Sequence, residues 1–221
     1  MDGRGAPARC GEEGPVSDGY EFFVDPSRCI GCRACVAACA ECDSHRGQSM
    51  IHVDYIDRTN TIATAPTVCM HCVEPTCALV CPADAIKQGE DGIVRSALKP
   101  RCIACSNCVL ACPFGVPTVH VAPEVMMKCD MCYDRTAVGL RPMCATVCPS
   151  QALSFGPPDV IARQRASVAT RDFLFGHEHV RTKVFMMAPA HDAAIAVDVE
   201  DYTWKENDGP EGWLVDPAVV D

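Results

Sequence analysis

Residues 102–113 read CIACSNCVLACP, a C-x2-C-x2-C-x3-C-P run formed by Cys102, Cys105, Cys108 and Cys112. Residues 29–39, CIGCRACVAAC, repeat the frame with Cys29, Cys32, Cys35 and Cys39. Between them, Cys69, Cys72, Cys77 and Cys81 read C-x2-C-x4-C-x3-C-P. Beyond them, Cys129, Cys132, Cys144 and Cys148 read C-x2-C-x11-C-x3-C-P. In chain order these are groups one to four, and they hold sixteen of the chain's 18 cysteines.

A cubane of iron and sulfide presents four corners, each needing a soft thiolate. A loop with two residues between cysteines reaches three corners, and the cysteine three residues further on faces a different cluster. Four groups therefore predict four [4Fe–4S] clusters. Pro82, Pro113 and Pro149 follow the last cysteine of groups two, three and four. Each ends a short helical turn there, because proline lacks an amide donor and clashes with a continuing helix. Structural zinc would also use CxxC pairs, but such pairs stand roughly 12–20 residues apart. Only one histidine, His71, falls inside a group. A disulfide scaffold belongs to short secreted chains, whereas this one has 221 residues and opens on no hydrophobic leader.

Aromatic residues are 6% of the chain, so the core is expected to lean on its inorganic groups. The formal charge is −10, and each cubane with four thiolates adds roughly −2. Such acidity argues against nucleic acid as a partner. No stretch approaches the roughly 20 apolar residues of a membrane span, so no anchor of its own is expected. The expected location is the cytoplasm, a reducing compartment; the alternative is export, already folded, with a signal-bearing partner. No nucleophile–base pair, phosphate loop or dinucleotide fingerprint is present, so no catalytic residue is assigned and the chain is not expected to catalyse alone.

Short strand-like segments flank the groups: 21–25, a glycine-turned hairpin of 85–87 with 92–95, then 116–121, 125–128 and 151–155. The predicted fold class is α+β, with two bacterial-ferredoxin-like modules of two clusters each and a C-terminal extension. Residues 1–19 read as a flexible leader. Residues 157–221 read as a helix over 159–173 with Asp159 at its N-cap, a strand over 180–187 and an acidic arm. Nine acidic residues and one lysine, Lys205, lie between Asp192 and Asp221, beside Tyr202, Trp204 and Trp213. Aromatic anchors in a polar segment suit packing on a partner.

CIGCRACVAAC, CMHCVEPTCALVCP, CIACSNCVLACP and CDMC…CATVCP together resemble the four-cluster electron-transfer (beta) subunits of molybdenum or tungsten oxidoreductases, the group of formate dehydrogenases and of dimethyl sulfoxide, polysulfide and thiosulfate reductases. The resemblance covers about residues 20–156. It implies a crossed ligand pattern: Cys29, Cys32 and Cys35 with Cys148; Cys129, Cys132 and Cys144 with Cys39; Cys69, Cys72 and Cys77 with Cys112; Cys102, Cys105 and Cys108 with Cys81. The first module is then discontinuous, 20–66 with 120–156, around a second module of 67–119. The resemblance also implies a large molybdopterin catalytic subunit as partner and a further redox subunit or carrier. A freestanding polyferredoxin or hydrogenase-associated carrier is the alternative. Arg33, Lys99, Arg101, Lys128 and His71 lie in or beside the groups and are candidates for tuning cluster potentials. Cys42 reads as a buried thiol or substitute ligand, and Cys10 as a spectator.

Overall fold

A computed structural model describes residues 20–45, 47–58, 61–96, 99–120, 124–164 and 169–187. All of these belong to the first of two units, Met1–Ala188 and Pro189–Asp221. The leader and the acidic arm expected from the sequence lie outside the described residues.

The largest sheet has four strands. Its buried strand β1 (Glu21–Val24) lies between β8 (Leu153–Gly156), antiparallel to it, and β10 (Glu178–Met187), parallel to it; β9 (Ala169–Phe175) closes the sheet beside β10. Phe22, Phe23 and Val24 are all buried, because neighbouring strands cover both edges of β1 and packing covers both faces. Helix α6 (Pro158–Gln164) lies against β1 and β8, with Ile161 buried beneath it. Three hairpins complete the strands: β2 (His52–Arg58) with β3 (Thr61–Thr67), β4 (Lys87–Gln88) with β5 (Val94–Arg95), and β6 (Thr118–His120) with β7 (Val125–Met127).

The other helices are short and carry cysteines or border them: α1 (Ala34–Ala40), α2 (Thr76–Leu79), α3 (Asn107–Leu110), α4 (Tyr133–Thr136) and α5 (Met143–Val147). Helices α2, α3 and α5 each stop just before the Cys-Pro pair that ends their group. Helix α1 packs on α5, joining groups one and four; α2 packs on α3, joining groups two and three.

One sequence expectation is corrected here. The helix predicted over 159–173 ends at Gln164, and residues 169–173 belong to β9. Pro158 opens that helix and Asp159 sits in its first turn rather than at the cap. The reason is tertiary. Gly176, at φ +62°, turns the chain so that Phe175 pairs with Glu178 and Phe173 with Val180, and ladder bonds to β10 outweigh local helix preference. The register of that pair shifts between Arg181 and Met186. In the bulge, Thr182 donates to the carbonyls of Arg171 and Val184. The freed edge of β10 holds the group-two loop: Lys183 N–H bonds the carbonyls of Met70 and His71, and Val73 N–H bonds that of Arg181.

Candidate metal centres

Each CxxC loop bends at the residue before its second cysteine. Gly31, His71, Ala104 and Met131 have φ of +68°, +48°, +53° and +61°. Groups one and three repeat the left-handed turn one residue after that cysteine, at Arg33 (+57°) and Ser106 (+62°). Alternating handedness turns successive amides inward and makes a concave nest for an anion, the geometry of many iron–sulfur sites. Only Gly31 betrayed this in the sequence.

The sulfurs meet in sets. A solvent-open cavity of about 300 Å³ is lined by Cys29, Cys32, Cys35 and Cys148. A second, of about 340 Å³, is lined by Cys81, Cys102, Cys105 and Cys108. Burial, then the proximity of Cys69, Cys112 and Cys77, pushes the Cys72 thiol up to about 12. The Cys35 thiol rises to about 11 through burial and Cys148. Cys144 is driven well above its ordinary value by burial, then by Cys129 and Cys39. No disulfide joins the described cysteines. Four thiolates brought together repel one another unless a cation stands at their centre, and the iron of a cubane supplies it. The donor set therefore fits [4Fe–4S] clusters.

Donors to the sulfurs come from outside the cysteine groups as well as within them. Backbone N–H groups of Met50, Ala85, Met126 and Met131 reach the Sγ atoms of Cys39, Cys81, Cys102 and Cys129 at 3.2, 3.3, 3.4 and 3.4 Å. Thr64, on β3, donates its hydroxyl to Cys29 Sγ at 3.2 Å. Donors of this kind favour the more negative, reduced form. Sequence reasoning missed Thr64 because the β2–β3 hairpin was not read.

His71 is fully buried. Its Nδ1 accepts the Val94 N–H at 3.0 Å, while Nε2 has no partner among the described residues. Burial, with Lys128, Arg95 and Lys183 nearby, holds its pKa well below the usual histidine value, so the ring is neutral with its proton on Nε2. A cluster sulfide is the kind of acceptor that would satisfy it. Arg33 lies over the Tyr55 ring at 5.7 Å and Arg101 reaches Asp84 at 3.8 Å, so neither cation is seen on a sulfur. The Lys99 side chain and Cys10 lie outside what is described. Lys128 is buried, 3.8 Å from Cys69 Sγ.

Cys42 is a buried thiol donating to the Asp134 carboxylate at 3.5 Å. It stands close to His45 and Cys132. His45 was not foreseen. Its Nε2 pairs with Asp130 at 3.0 Å, and its Nδ1 lies 2.8 Å from the Cys39 carbonyl and 3.3 Å from Cys39 Sγ. Burial opposes its charge, but the Asp130 hydrogen bond and Cys39 win and raise its pKa to about 11. Asp130 also accepts the Cys132 N–H at 3.0 Å.

Among known proteins, a model of the 4Fe-4S dicluster domain matches residues 60–157, and one of the 4Fe-4S binding domain matches residues 20–41. The chain is 36% identical over 163 residues to the B subunit of the anaerobic dimethyl sulfoxide reductase of Escherichia coli K12, covering 68% of this chain and 79% of that one. It is 39% identical over 158 residues to the thiosulfate reductase electron transfer subunit PhsB of Salmonella typhi, covering 68% and 82%. It is 33% identical over 177 residues to the formate dehydrogenase-O iron-sulfur subunit of E. coli K12, covering 68% and 59%. The sulfur sets, the matching cluster domains and these relatives together make the chain a member of the family of iron–sulfur electron-transfer subunits of oxidoreductase complexes, which are not catalytic on their own.

Proposed function

We propose that this chain passes single electrons along four [4Fe–4S] clusters between a molybdopterin (molybdenum or tungsten) catalytic subunit and a further redox partner. The observation that carries the reading is the succession of sulfur sets. Cys35 stands beside Cys148, and Cys144 beside both Cys39 and Cys35. Cys129 stands near Cys69, and Cys77 near Cys112 and Cys108. The proposed order is therefore Cys29/Cys32/Cys35/Cys148, then Cys39/Cys129/Cys132/Cys144, then Cys69/Cys72/Cys77/Cys112, then Cys81/Cys102/Cys105/Cys108. On this reading groups one and four form one discontinuous module around groups two and three.

Exposure is consistent with that order. Cys32 and Cys105, in the two end sets, are exposed, all four cysteines of the second set are buried, and the third set is part-buried, with Cys77 buried and Cys69, Cys72 and Cys112 intermediate. A conductor should be most open at its ends. When bound, each cluster supplies a site that gains or loses one electron. The chain's own residues fix spacing, exclude water and aim amide and hydroxyl donors at the sulfurs, while bond-making belongs to the partner. The relatives are named as a reductase subunit, an electron transfer subunit and a dehydrogenase iron–sulfur subunit, which supports a catalytic partner here. Among the described residues no helix is long and apolar enough to cross a membrane. We place the chain in the cytoplasm, where cysteine stays reduced.

Native mass spectrometry of the anaerobically purified, untagged complex tests this. The expected result is four Fe4S4 units on this chain, with a molybdopterin-bearing subunit at fixed ratio. The chain appearing alone, or with fewer clusters, overturns the reading.

A further inference from the structure

Lys128 follows β7 and directly precedes Cys129, with only 3% of its surface exposed. Its Nζ donates to the carbonyls of Val94 and Cys129, the latter at 3.0 Å, and lies 3.8 Å from Cys69 Sγ. Among the described residues it forms no ion pair with a carboxylate. A buried ammonium is rare unless an opposite charge compensates it, and carbonyl dipoles alone do not. The sulfur it faces belongs to the proposed third set, and the cysteine whose carbonyl it holds belongs to the second. Its field also reaches Cys77 of the third set and works against the upward push of burial on that thiol.

We propose that Lys128 is the buried counter-charge shared by the second and third clusters, holding both at higher reduction potential than they would have without it. The inference rests on the four-cluster reading above. It names the residue that distinguishes the interior of the conductor from its ends. Adding an electron makes a cluster one unit more negative, and a nearby fixed cation favours that state. Because Lys128 lies between two loops, its charge acts on two neighbouring centres at once, while the end sets have water at their exposed cysteines. The surroundings fix the ammonium in place. Val94, on β5, gives its carbonyl to Lys128 and its N–H to His71 Nδ1, so one strand residue ties the group-two loop to the start of group four. Lys128 is thus a positioning and tuning residue, not a catalytic one.

The test is an EPR-monitored redox titration of the full-length holo protein carrying Lys128→Met, Lys128→Gln or Lys128→Arg. Methionine approximates the length without charge, glutamine keeps a donor without charge, and arginine keeps the charge. The neutral variants should lower two of the four midpoint potentials by at least tenfold in the redox equilibrium, about 59 mV for one electron. The other two should stay in place, and Lys128→Arg should retain most of the original values. If both neutral variants lose those two clusters while Lys128→Arg keeps them, the counter-charge role is equally supported. Unmoved potentials in the neutral variants, equal shifts of all four, or the same shift in Lys128→Arg would overturn the inference. Iron content of the unmutated protein is read separately. Fewer than four clusters there sinks the four-cluster reading, whereas four clusters with unshifted variants sinks the Lys128 assignment alone.

Discussion

Replacing Gly31 by alanine asks whether the cysteine loop of group one is shaped by its own backbone or by the hairpin above it. Two costs follow from the structure. Gly31 has φ +68°, and a left-handed conformation costs a residue with a Cβ roughly 1–2 kcal/mol. The added Cβ would also stand 3.1 Å from Thr64 Cγ2 and 3.4 Å from its Oγ1. Thr64 is only 6% exposed, so it yields by moving with its strand. That movement stretches its hydrogen bonds to Cys29 Sγ and to the Cys29 carbonyl, now 3.2 and 3.3 Å. Losing one such bond costs about 1 kcal/mol. The sum is about 2–3 kcal/mol. For a chain of this size each kcal/mol moves the thermal midpoint by about 2–4 °C. The visible absorbance of the holo protein should therefore bleach about 4–12 °C earlier, at a fixed scan rate because cluster loss is irreversible.

Group three contains the control. Ala104 occupies the same place in its loop at φ +53°, so alanine in this backbone conformation is compatible with a folded loop. What differs at Gly31 is Thr64. The double variant Gly31→Ala with Thr64→Ser removes the crowding Cγ2 and keeps the hydroxyl, so it should recover about 1 kcal/mol of the loss. An unmoved midpoint in the single variant, or an equal fall in single and double variants, would refute the reasoning.

Two further outcomes follow. Asp130→Asn leaves the His45 imidazolium nearly fully buried without its partner, at a cost of about 3–5 kcal/mol, so the bleaching midpoint should fall by roughly 6–20 °C; a fall below about 3 °C would show that the pair is not stabilising. Asp91 accepts from the Ile93 amide and Arg95, and although burial opposes its charge, those partners hold its carboxyl below the usual range. A depressed carboxyl stabilises the fold above its unfolded pKa of about 4 and loses that effect as pH falls through its folded value. Because the pair is partly exposed, Asp91→Asn should cost only about 1 kcal/mol at neutral pH, so its bleaching midpoint should fall by about 2–4 °C, and that gap should narrow as the pH is lowered toward the carboxyl range. A gap that widens on acidification would reverse the assignment.

The cysteine groups were legible because thiolate ligation imposes spacing on sequence. Positions of α2, α3 and α5 followed from proline after the last cysteine, since proline ends helices by a local mechanism. The elements misread or missed depend on distant partners. Residues 169–173 carry no local signal strong enough to exclude helix, and only β10 makes them a strand. The β2–β3 hairpin contains Pro66 opposite Val53, and proline inside a run argues against a strand in any reading by propensity. His45 and Asp130 are 85 residues apart and become a pair only when α1 and the group-four loop share one core. Lys128 was legible as a neighbour of a ligand, but not as a neighbour of Cys69.

The donors to sulfur explain why so much of the site was silent in the sequence. Met50 lies just ahead of β2, Ala85 ahead of β4, and Met126 within β7, and each contributes its backbone N–H rather than its side chain. Any residue except proline supplies that group, so nothing in the identity of Met50 or Ala85 reports the role. What must be specified instead is the path of the chain. The hairpins do this, since each strand pairing sets where the preceding amide points. Three side chains also reach the sulfurs: Thr64 over Cys29, His45 beside Cys39, which accepts the Met50 amide as well, and Lys128 beside Cys69. Those three bring a hydroxyl, an imidazolium and an ammonium to the proposed first, second and third sets. In the fourth set, no comparable side-chain donor is seen on Cys102, Cys105, Cys108 or Cys81 among the described residues. On the proposed arrangement, then, these backbone amides reach the second and fourth sets while the side chains reach the first three, and this uneven supply of donors is how one repeated loop can yield centres of unequal potential.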